Sequence, residues 1–274
     1  MPVRKLAMIS YRGLQLVFFA LVVGSFFVEY PFSWWWIFLP VVLSSVLVIV
    51  LGRRTAAEQR LDPRPPVEVD PPVTGRWIAI NSPADKVPSH GTHAYGQTYA
   101  IDIVAEPEEG GRPAFQSLWP LARPVGAFPA FDEPLLAVAD ATVVHATDWR
   151  RDHLSRNSLP ALAYLLLIEA SARDMGGAGW VTGNHIVLDL GDGTYAMYAH
   201  LRRGSLTVRA GDTVRAGQEI ARCGNSGNST EPHVHFQLMD GPDLDSARGV
   251  PFRWRGIGVP SGGDAFTVER QPAT

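Results

Sequence analysis

The chain is poor in cysteine and in lysine. Its 274 residues include one cysteine, Cys223, which excludes an internal disulfide. Lys5 and Lys86 are the only lysines, so arginine supplies most of the positive charge. The formal net charge is −3, and there is no Lys/Arg stripe of the kind that marks a nucleic-acid surface. A lone thiol can be a nucleophile. Cys223, in Ile220-Ala221-Arg222-Cys223-Gly224, reads instead as a small buried hydrophobe on a strand. The length accommodates one sizeable domain plus an accessory segment.

What the chain does have, near its start, is a long apolar run. Leu14 to Leu51 carries a single charge, Glu29. A membrane span needs about 20 residues, so this run is too long for one. Pro31 and Ser33 lie near its middle, and two spans are expected, about Leu14 to Val28 and about Trp35 to Leu51. Tyr30, Trp34, Trp35 and Trp36 would form an interfacial aromatic belt around a short loop. A cleaved signal peptide is disfavoured, because the run is long and no small-x-small site follows it cleanly. Residues 1–52 therefore read as a membrane segment. Residues 53–75, with Arg53, Arg54, Arg60, Arg64 and recurrent proline, read as a stiff Pro/Arg-rich linker. Residues 76–270 read as the globular domain.

That domain reads as mainly β. Candidate strands are Trp77–Ile80, Thr98–Val104, Leu135–Ala146, His185–Leu190, Tyr195–Ala199, Gly217–Arg222 and His233–Leu238, separated by turn signals such as Gly191-Asp192-Gly193. Closely spaced hairpins argue for an antiparallel sheet or sandwich. Two insertions interrupt the pattern. Residues 106–133 are rich in glycine, proline and aromatics and read as a long loop. Residues 148–179 contain one inserted helix, capped by Asn157 or Ser158, with Pro160 in its first turn and Gly176-Gly177 as its stop. It is expected to pack on the sheet or to cover a cleft as a lid.

The most informative segment is Gly224-Asn225-Ser226-Gly227-Asn228-Ser229-Thr230-Glu231-Pro232-His233-Val234-His235-Phe236-Gln237-Leu238. It is a Gly/Asn/Ser-rich turn running into an apolar strand. Side chains alternate along a strand, so His233 and His235 point to one face. Two imidazoles on one face are an asset at a metal, where neutral imidazole is the commonest ligand.

This wording resembles the terminal motif of the lysostaphin-type (LytM-like) zinc endopeptidases, which cut peptides of bacterial cell walls. The Gly-Asn-x-Gly-x-Ser-Thr turn and Pro-His-x-His-Phe are both present, with Glu231 where glycine is common. Tyr198-Ala199-His200-Leu201 resembles that family's Tyr-x-His-Leu strand end, and Tyr99-Ala100-Ile101-Asp102-Ile103 resembles the strand that ends in its metal-binding aspartate. The resemblance reaches back to about Trp77. It implies a β-sheet domain with a groove over one face and one zinc ion in the groove.

The chain departs from the family pattern at one place. Four residues before the aspartate, where the family has histidine, stands Thr98. His90 and His93 are the available substitutes. His90, beside Ser89 and Gly91, is the first choice and His93 the alternative. By resemblance, His90 (or His93), Asp102 and His235 hold Zn²⁺, while His200 and His233 serve as proton acceptor and hydrogen-bond donor in an order the sequence leaves open. Asn184 and Tyr95 are weaker candidates for the cleft, and His145, His153 and His185 read as structural. The implied partners are peptidoglycan peptides and, through residues 1–52, the lipid bilayer. Two rivals stand beside this reading. One is an inactive LytM-like module that binds the wall or regulates another hydrolase. The other is a lipoyl-type carrier, suggested by Val208-Arg209-Ala210-Gly211-Asp212-Thr213 and opposed by the absence of a lysine on a hairpin tip. Arg4, Lys5, Arg12, Arg53 and Arg54 flank both spans on one side, so the positive-inside rule puts the domain in the cytoplasm. A wall substrate requires it outside, which is the expectation adopted.

Overall fold

The computed structural model describes residues 3–61, 64–107 and 111–269. Helix α1 (Val3–Gly24) packs against α2 (Leu39–Leu61), with an aromatic 3-10 turn at Trp34–Phe38 leading into the second helix. Both are long and apolar enough to cross a membrane. Only 6% and 17% of the residues in their most apolar windows are buried, so neither is a core helix. The first helix starts well before Leu14 because Leu6, Ala7 and Met8 continue it without a breaker. It ends at Gly24, where the Leu21 carbonyl accepts from both the Ser25 amide at 3.0 Å and the Tyr30 hydroxyl at 3.1 Å. The second helix continues past Leu51 because Ala56, Ala57 and Glu58 are strong helix formers and the first proline is Pro63. The stretch read as a linker is therefore helical in its first part.

Its later part is also ordered into the domain. β1 (Val67–Val69) pairs in parallel with a late strand, and Val69 and Val73 are buried. The further strands are β2 (Gly75–Asn81), β3 (Ile101–Ala105), β4 (Pro134–Leu136), β5 (Ala141–Thr147), β6 (His185–Asp189), β7 (Tyr195–Ala199), β8 (Thr213–Val214), β9 (Glu219–Arg222), β10 (Val234–Met239), β11 (Gly249–Val250), β12 (Phe252–Trp254) and β13 (Ala265–Val268). Among the described residues the main sheet runs β13-β2-β3-β10-β7-β6-β5-β8, with β11 beside β10, and every pairing in it is antiparallel. The pairs β1–β12 and β4–β9 form two small sheets. The run expected as one strand, Leu135–Ala146, is split between β4 and β5. Asp140 breaks it, its side chain accepting from the Ala216 backbone.

The central strand β10 is buried along its whole length, and its two faces differ. Val234, Phe236 and Leu238 join Ile101, Ile103, Tyr198 and Trp254 in the main core. His235, Gln237 and Met239 lie on the opposite face. There Met239 packs with Met197, Val187, Tyr95 and Met8 of α1. The first helix thus docks on the same face of the sheet that carries the polar cluster described below.

The second insertion forms one bent helix: α3 (Leu159–Tyr164), a π-turn at Leu165–Glu169 and α4 (Ala170–Met175). Ser158 caps it by accepting from the Ala161 amide, and Pro160 lies in the first turn. A short helix α5 (Ala178–Thr182) follows and leads into β6. Among its described residues the first insertion is irregular, apart from a 3-10 turn at Val125–Ala127 and a bridge at Gln116.

Candidate metal centre

Cross-strand register assembles the site. Asp102 on β3 lies directly opposite His235 on β10, and Ala199 on β7 opposes His235 from the other side. His200, the next residue, closes β7, and His233 immediately precedes β10. His90 arrives on a loop. Its neighbour Ser89 donates its amide to the Thr98 carbonyl at 3.2 Å and its hydroxyl to the Ala100 carbonyl at 2.6 Å, which folds the loop back over the start of β3. Gly96 lets the loop approach β10, since a Cβ there would come within 2.9 Å of Gln237 Nε2 and of Met239 Cγ.

The result is a carboxylate surrounded by imidazoles. His90 Nε2 is 2.8 Å from Asp102 Oδ2, His235 Nδ1 is 2.8 Å from Asp102 Oδ1, and His233 Nε2 is 3.6 Å from the same oxygen. Asn81 Nδ2 donates to Asp102 Oδ2 at 2.8 Å. Among the described residues, the one cluster with metal-ligand spacing is His90, Asp102 and His235, whose ligand atoms all lie within 4.8 Å of one another. His93 is not brought to it. Its Nδ1 pairs with Thr98 Oγ1 at 3.0 Å, and it lines a cavity between the sheet and the N-terminal helices.

The outer partners of the two clustered histidines decide what this site can hold. The Ser89 hydroxyl gives its proton to the Ala100 carbonyl, so toward His90 it accepts, and His90 carries its hydrogen on Nδ1 (3.0 Å). Gln237 Nε2 donates to the Tyr95 carbonyl at 2.7 Å, which turns its Oε1 toward His235 Nε2 at 3.0 Å. Neutral His235 therefore carries its hydrogen on Nε2. In both rings the nitrogen that faces a carboxylate oxygen at 2.8 Å is then the one without a hydrogen in the neutral form, and either a proton or a metal ion between the two atoms makes the contact favourable. Two nitrogens and one carboxylate oxygen are also the donor set of a catalytic zinc site. The residues present fit a divalent metal.

His200 and His233 stand beside this group, with ring centroids 4.8 Å apart. His200 Nδ1 donates to the Ser226 carbonyl at 2.8 Å, leaving Nε2 as an acceptor. His233 Nδ1 donates to the Glu231 carbonyl at 2.8 Å. Burial, reinforced by His233 and His235, pushes His200 well below the ordinary imidazole range. Burial also opposes charge on His233, but the Asp102 carboxylate and the Glu231 carbonyl outweigh it and raise that ring's pKa. Burial pushes the Asp102 carboxyl up, yet His90 and His233 hold it well below the usual carboxylate range. His200 has a left-handed backbone, φ +62°, which an L side chain rarely adopts. It is held there by its amide bond to the Thr182 carbonyl and by the bond from its ring.

The Gly/Asn/Ser turn is braced from several sides. Gly227 has φ +73°, and a Cβ there would meet the Val181 carbonyl and the Gly183 amide at 2.5 Å, so loop and α5–β6 corner touch through backbone alone. His153 contacts the Gly227 carbonyl through Nε2 at 2.9 Å. Asn184 bonds Arg150 and Leu201, and Tyr95 is buried beneath Gln237, so both serve as braces. His185 is buried against Gly183 and stacks with His145. Cys223 is buried, and that burial pushes its thiol well above the ordinary range, which leaves it inert. Glu231, the departure from the family pattern, is buried and paired with Arg112 of the first insertion. Asn81 and Gln237 were not singled out from sequence, and Ser89 only as a flank that gives His90 an unusual backbone path. Alternation along β10 could have flagged Gln237, two residues beyond His235. Nothing local marks Asn81.

Residues 169–246 match peptidase family M23. The chain carries an M23 peptidase domain. The matched stretch contains His200, His233 and His235. Asp102 and His90 lie outside it and join the cluster only through the sheet. A 66-residue stretch, 23% of the chain, is 46% identical to the glycyl-glycine endopeptidase ALE-1 of Staphylococcus capitis, covering 18% of that protein. A stretch of 57 residues, 21% of the chain, is 37% identical to the peptidoglycan DD-endopeptidase ShyA of Vibrio cholerae, covering 13% of it. The chain therefore spans less than a fifth of the length of either relative. The catalytic domain of lysostaphin from Staphylococcus simulans overlaps 63% of this chain and 84% of its own, at 22% identity and a TM-score of 0.33.

Proposed function

We propose that this chain is a membrane-anchored, zinc-dependent endopeptidase that hydrolyses peptide bonds in the stem peptides or cross-bridges of peptidoglycan. The observation that carries the reading is the convergence of His90, Asp102 and His235, each imidazole placing a ring nitrogen 2.8 Å from the same carboxylate, with His200 and His233 alongside. The M23 match and the two endopeptidase relatives support a peptidoglycan hydrolase. The two apolar N-terminal helices support the anchor.

In this reading His90 Nε2, Asp102 and His235 Nδ1 hold one Zn²⁺. When bound, zinc supplies Lewis acidity toward a water molecule and a peptide carbonyl. His200 is the proton acceptor: its Nδ1 hydrogen is committed to Ser226, which leaves Nε2 as the acceptor, and burial outweighs the pull of Asp102 toward a charged ring. His233 is the donor: its Nε2 faces Asp102, which favours a hydrogen there that can be offered to an oxygen gaining negative charge. Ser89, Gln237 and Asn81 keep the three holding side chains in register.

The rival reading, an inactive module that binds wall or regulates a hydrolase, expects a broken constellation. Here all five side chains meet. Zinc content and cleavage of a wall-derived peptide by the purified full chain separate the two. The expected outcome is near-stoichiometric zinc and cleavage lost on chelation. A wild-type protein that holds zinc but cuts no wall peptide would favour the inactive module, and one that cuts without metal would refute the zinc assignment.

A further inference from the structure

The inserted helix is amphipathic in the wrong sense for a water-facing element. Its charged residues point at the protein: Glu169 is held by Arg156 at 2.8 Å and by Arg173 at 3.0 Å, and these three side chains are only 15%, 13% and 17% exposed. Its large apolar residues point away. Leu166, Leu167 and Ile168 are 61%, 73% and 56% exposed, while their neighbour Leu165 is buried. The π-turn at Leu165–Glu169 widens the helix there and sets three consecutive apolar side chains outward. A helix packed on a soluble domain arranges the two classes the other way round.

The first insertion enlarges this surface. Gln116 bridges to Ser158 at the start of the helix, and the Ser158 hydroxyl donates to the Leu121 carbonyl at 2.7 Å. Beside that junction Leu118 and Trp119 are 67% and 76% exposed. Exposed large apolar side chains clustered in this way mark a contact with another apolar phase.

The structure also indicates which phase. The far end of the inserted helix abuts α1. Asp174 accepts from the Tyr95 hydroxyl and pairs with the Tyr11 hydroxyl, and a Cβ on Gly177 would lie 3.9 Å from Arg12 Nη1. Tyr11 and Arg12 are the last polar side chains before the apolar run from Leu14, apart from Gln15, so they mark the polar end of that run. Trp180, stacked on the Arg150 guanidinium at 3.8 Å, sits at the same end, a pairing suited to the headgroup zone. The inserted helix that carries the exposed apolar face thus ends against α1, at the polar end of its apolar run.

We propose that the two insertions form a shelf that seats in the lipid bilayer beside the anchor, holding the metal cleft at the membrane surface. This inference rests on the membrane-anchored reading above. The shelf is tied to the catalytic turn, because Arg173 donates to Asn228 Oδ1 at 3.1 Å and the Arg156 amide donates to the Thr230 carbonyl at 2.5 Å. The cleft is then held close to the lipid, with the inserted helix bonded directly to the turn beside it. The substrate class follows from that placement: peptides carried close to the membrane rather than those deep in a distant polymer layer.

Fluorescence in protein-free lipid nanodiscs tests it on the full chain. A polarity-sensitive dye is attached through Leu167→Cys, through Phe19→Cys on the lipid-facing side of α1, or through Arg215→Cys at an exposed turn of the sheet domain. Wild type supplies the background, since its single thiol is buried. Lipids carrying a nitroxide in the acyl chain should quench the dye at positions 19 and 167 and leave it bright at 215. Quenching at 19 without quenching at 167 overturns the shelf and leaves the anchor standing. No quenching at 19 overturns the anchor and the shelf with it. Shielding at 167 that appears only in native membranes assigns the face to a protein partner and also overturns the proposal.

Discussion

At the scale of single residues, chemistry depends on which ring nitrogen carries a hydrogen. His90 and His235 reach the carboxylate through different nitrogens, and in each ring the other nitrogen is occupied by a neighbour, Ser89 or Gln237. His235→Ala is expected to abolish zinc binding, measured by elemental analysis after mild dialysis. Gln237→Met keeps the volume but removes the acceptor that sets the His235 tautomer, and is expected to weaken zinc about 10–100-fold in a chelator competition. His233→Ala is expected to retain zinc while losing about 10²–10⁴ in turnover, and loss of the metal as well would make His233 a ligand. His90→Ala and His93→Ala separate the two candidates for the displaced ligand: zinc loss is expected from the first alone. His185 carries a different prediction. Burial pushes its pKa down to about 4, opposed by the Gly183 carbonyl. The folded state therefore takes up this proton less readily than the unfolded one. Its contribution is intact above the unfolded pKa of about 6.5, and stability falls as pH drops from there toward 4, by about 3 kcal/mol in the limit. In denaturant titrations across that window, His185→Asn should show a shallower acid loss than wild type.

At the scale of elements, the sheet and its turns were legible because their signals are local. Alternation predicted β7 and β10 almost to the residue, and Ser158, Pro160 and Gly176 marked the inserted helix. Ser158→Ala removes both the cap on Ala161 and the bond to Leu121, and is expected to cost about 1–2 kcal/mol, read from the denaturation midpoint with an unchanged slope. The misjudged boundaries share one cause, since each depends on contacts distant in sequence. β1 was assigned to a tether because three residues carry little periodicity. Its strand character comes from pairing with β12, nearly two hundred positions away. The Thr98 segment looked like strand, yet Ser89 captures the Thr98 and Ala100 carbonyls and the chain there is helical.

At the scale of the whole molecule, the basic residues that flank the spans are partly neutralised. Lys5 pairs with Asp243 at 2.7 Å and Arg12 with Asp245 at 2.5 Å, so the start of α1 and the domain lie on the same side of any membrane the helices cross. This bears on the conflict between the positive-inside rule and a wall substrate. The domain is expected to face outward. A reporter fused after the last residue, or thiol labelling of Arg215→Cys in intact cells with a membrane-impermeant reagent, would place it. A cytoplasmic signal would remove wall hydrolysis as the function and leave an intracellular peptide as substrate.

The sequence by itself determined the two apolar N-terminal helices and the β class of the domain, because those signals lie within short stretches with a clear period or turn, and it marked His200, His233 and His235 through the family motifs they resemble. Tertiary structure alone decided the rest. His90 rather than His93 stands beside Asp102 because a loop closed by Ser89 folds back across β3. Gln237 and Ser89 set the tautomers because they meet the histidines across strands and loops. The apolar side of the inserted helix faces outward because Arg156 and Arg173 draw Glu169 inward. Each of these is a contact between residues far apart in the chain or a choice of face, and neither leaves a periodic trace in a single segment.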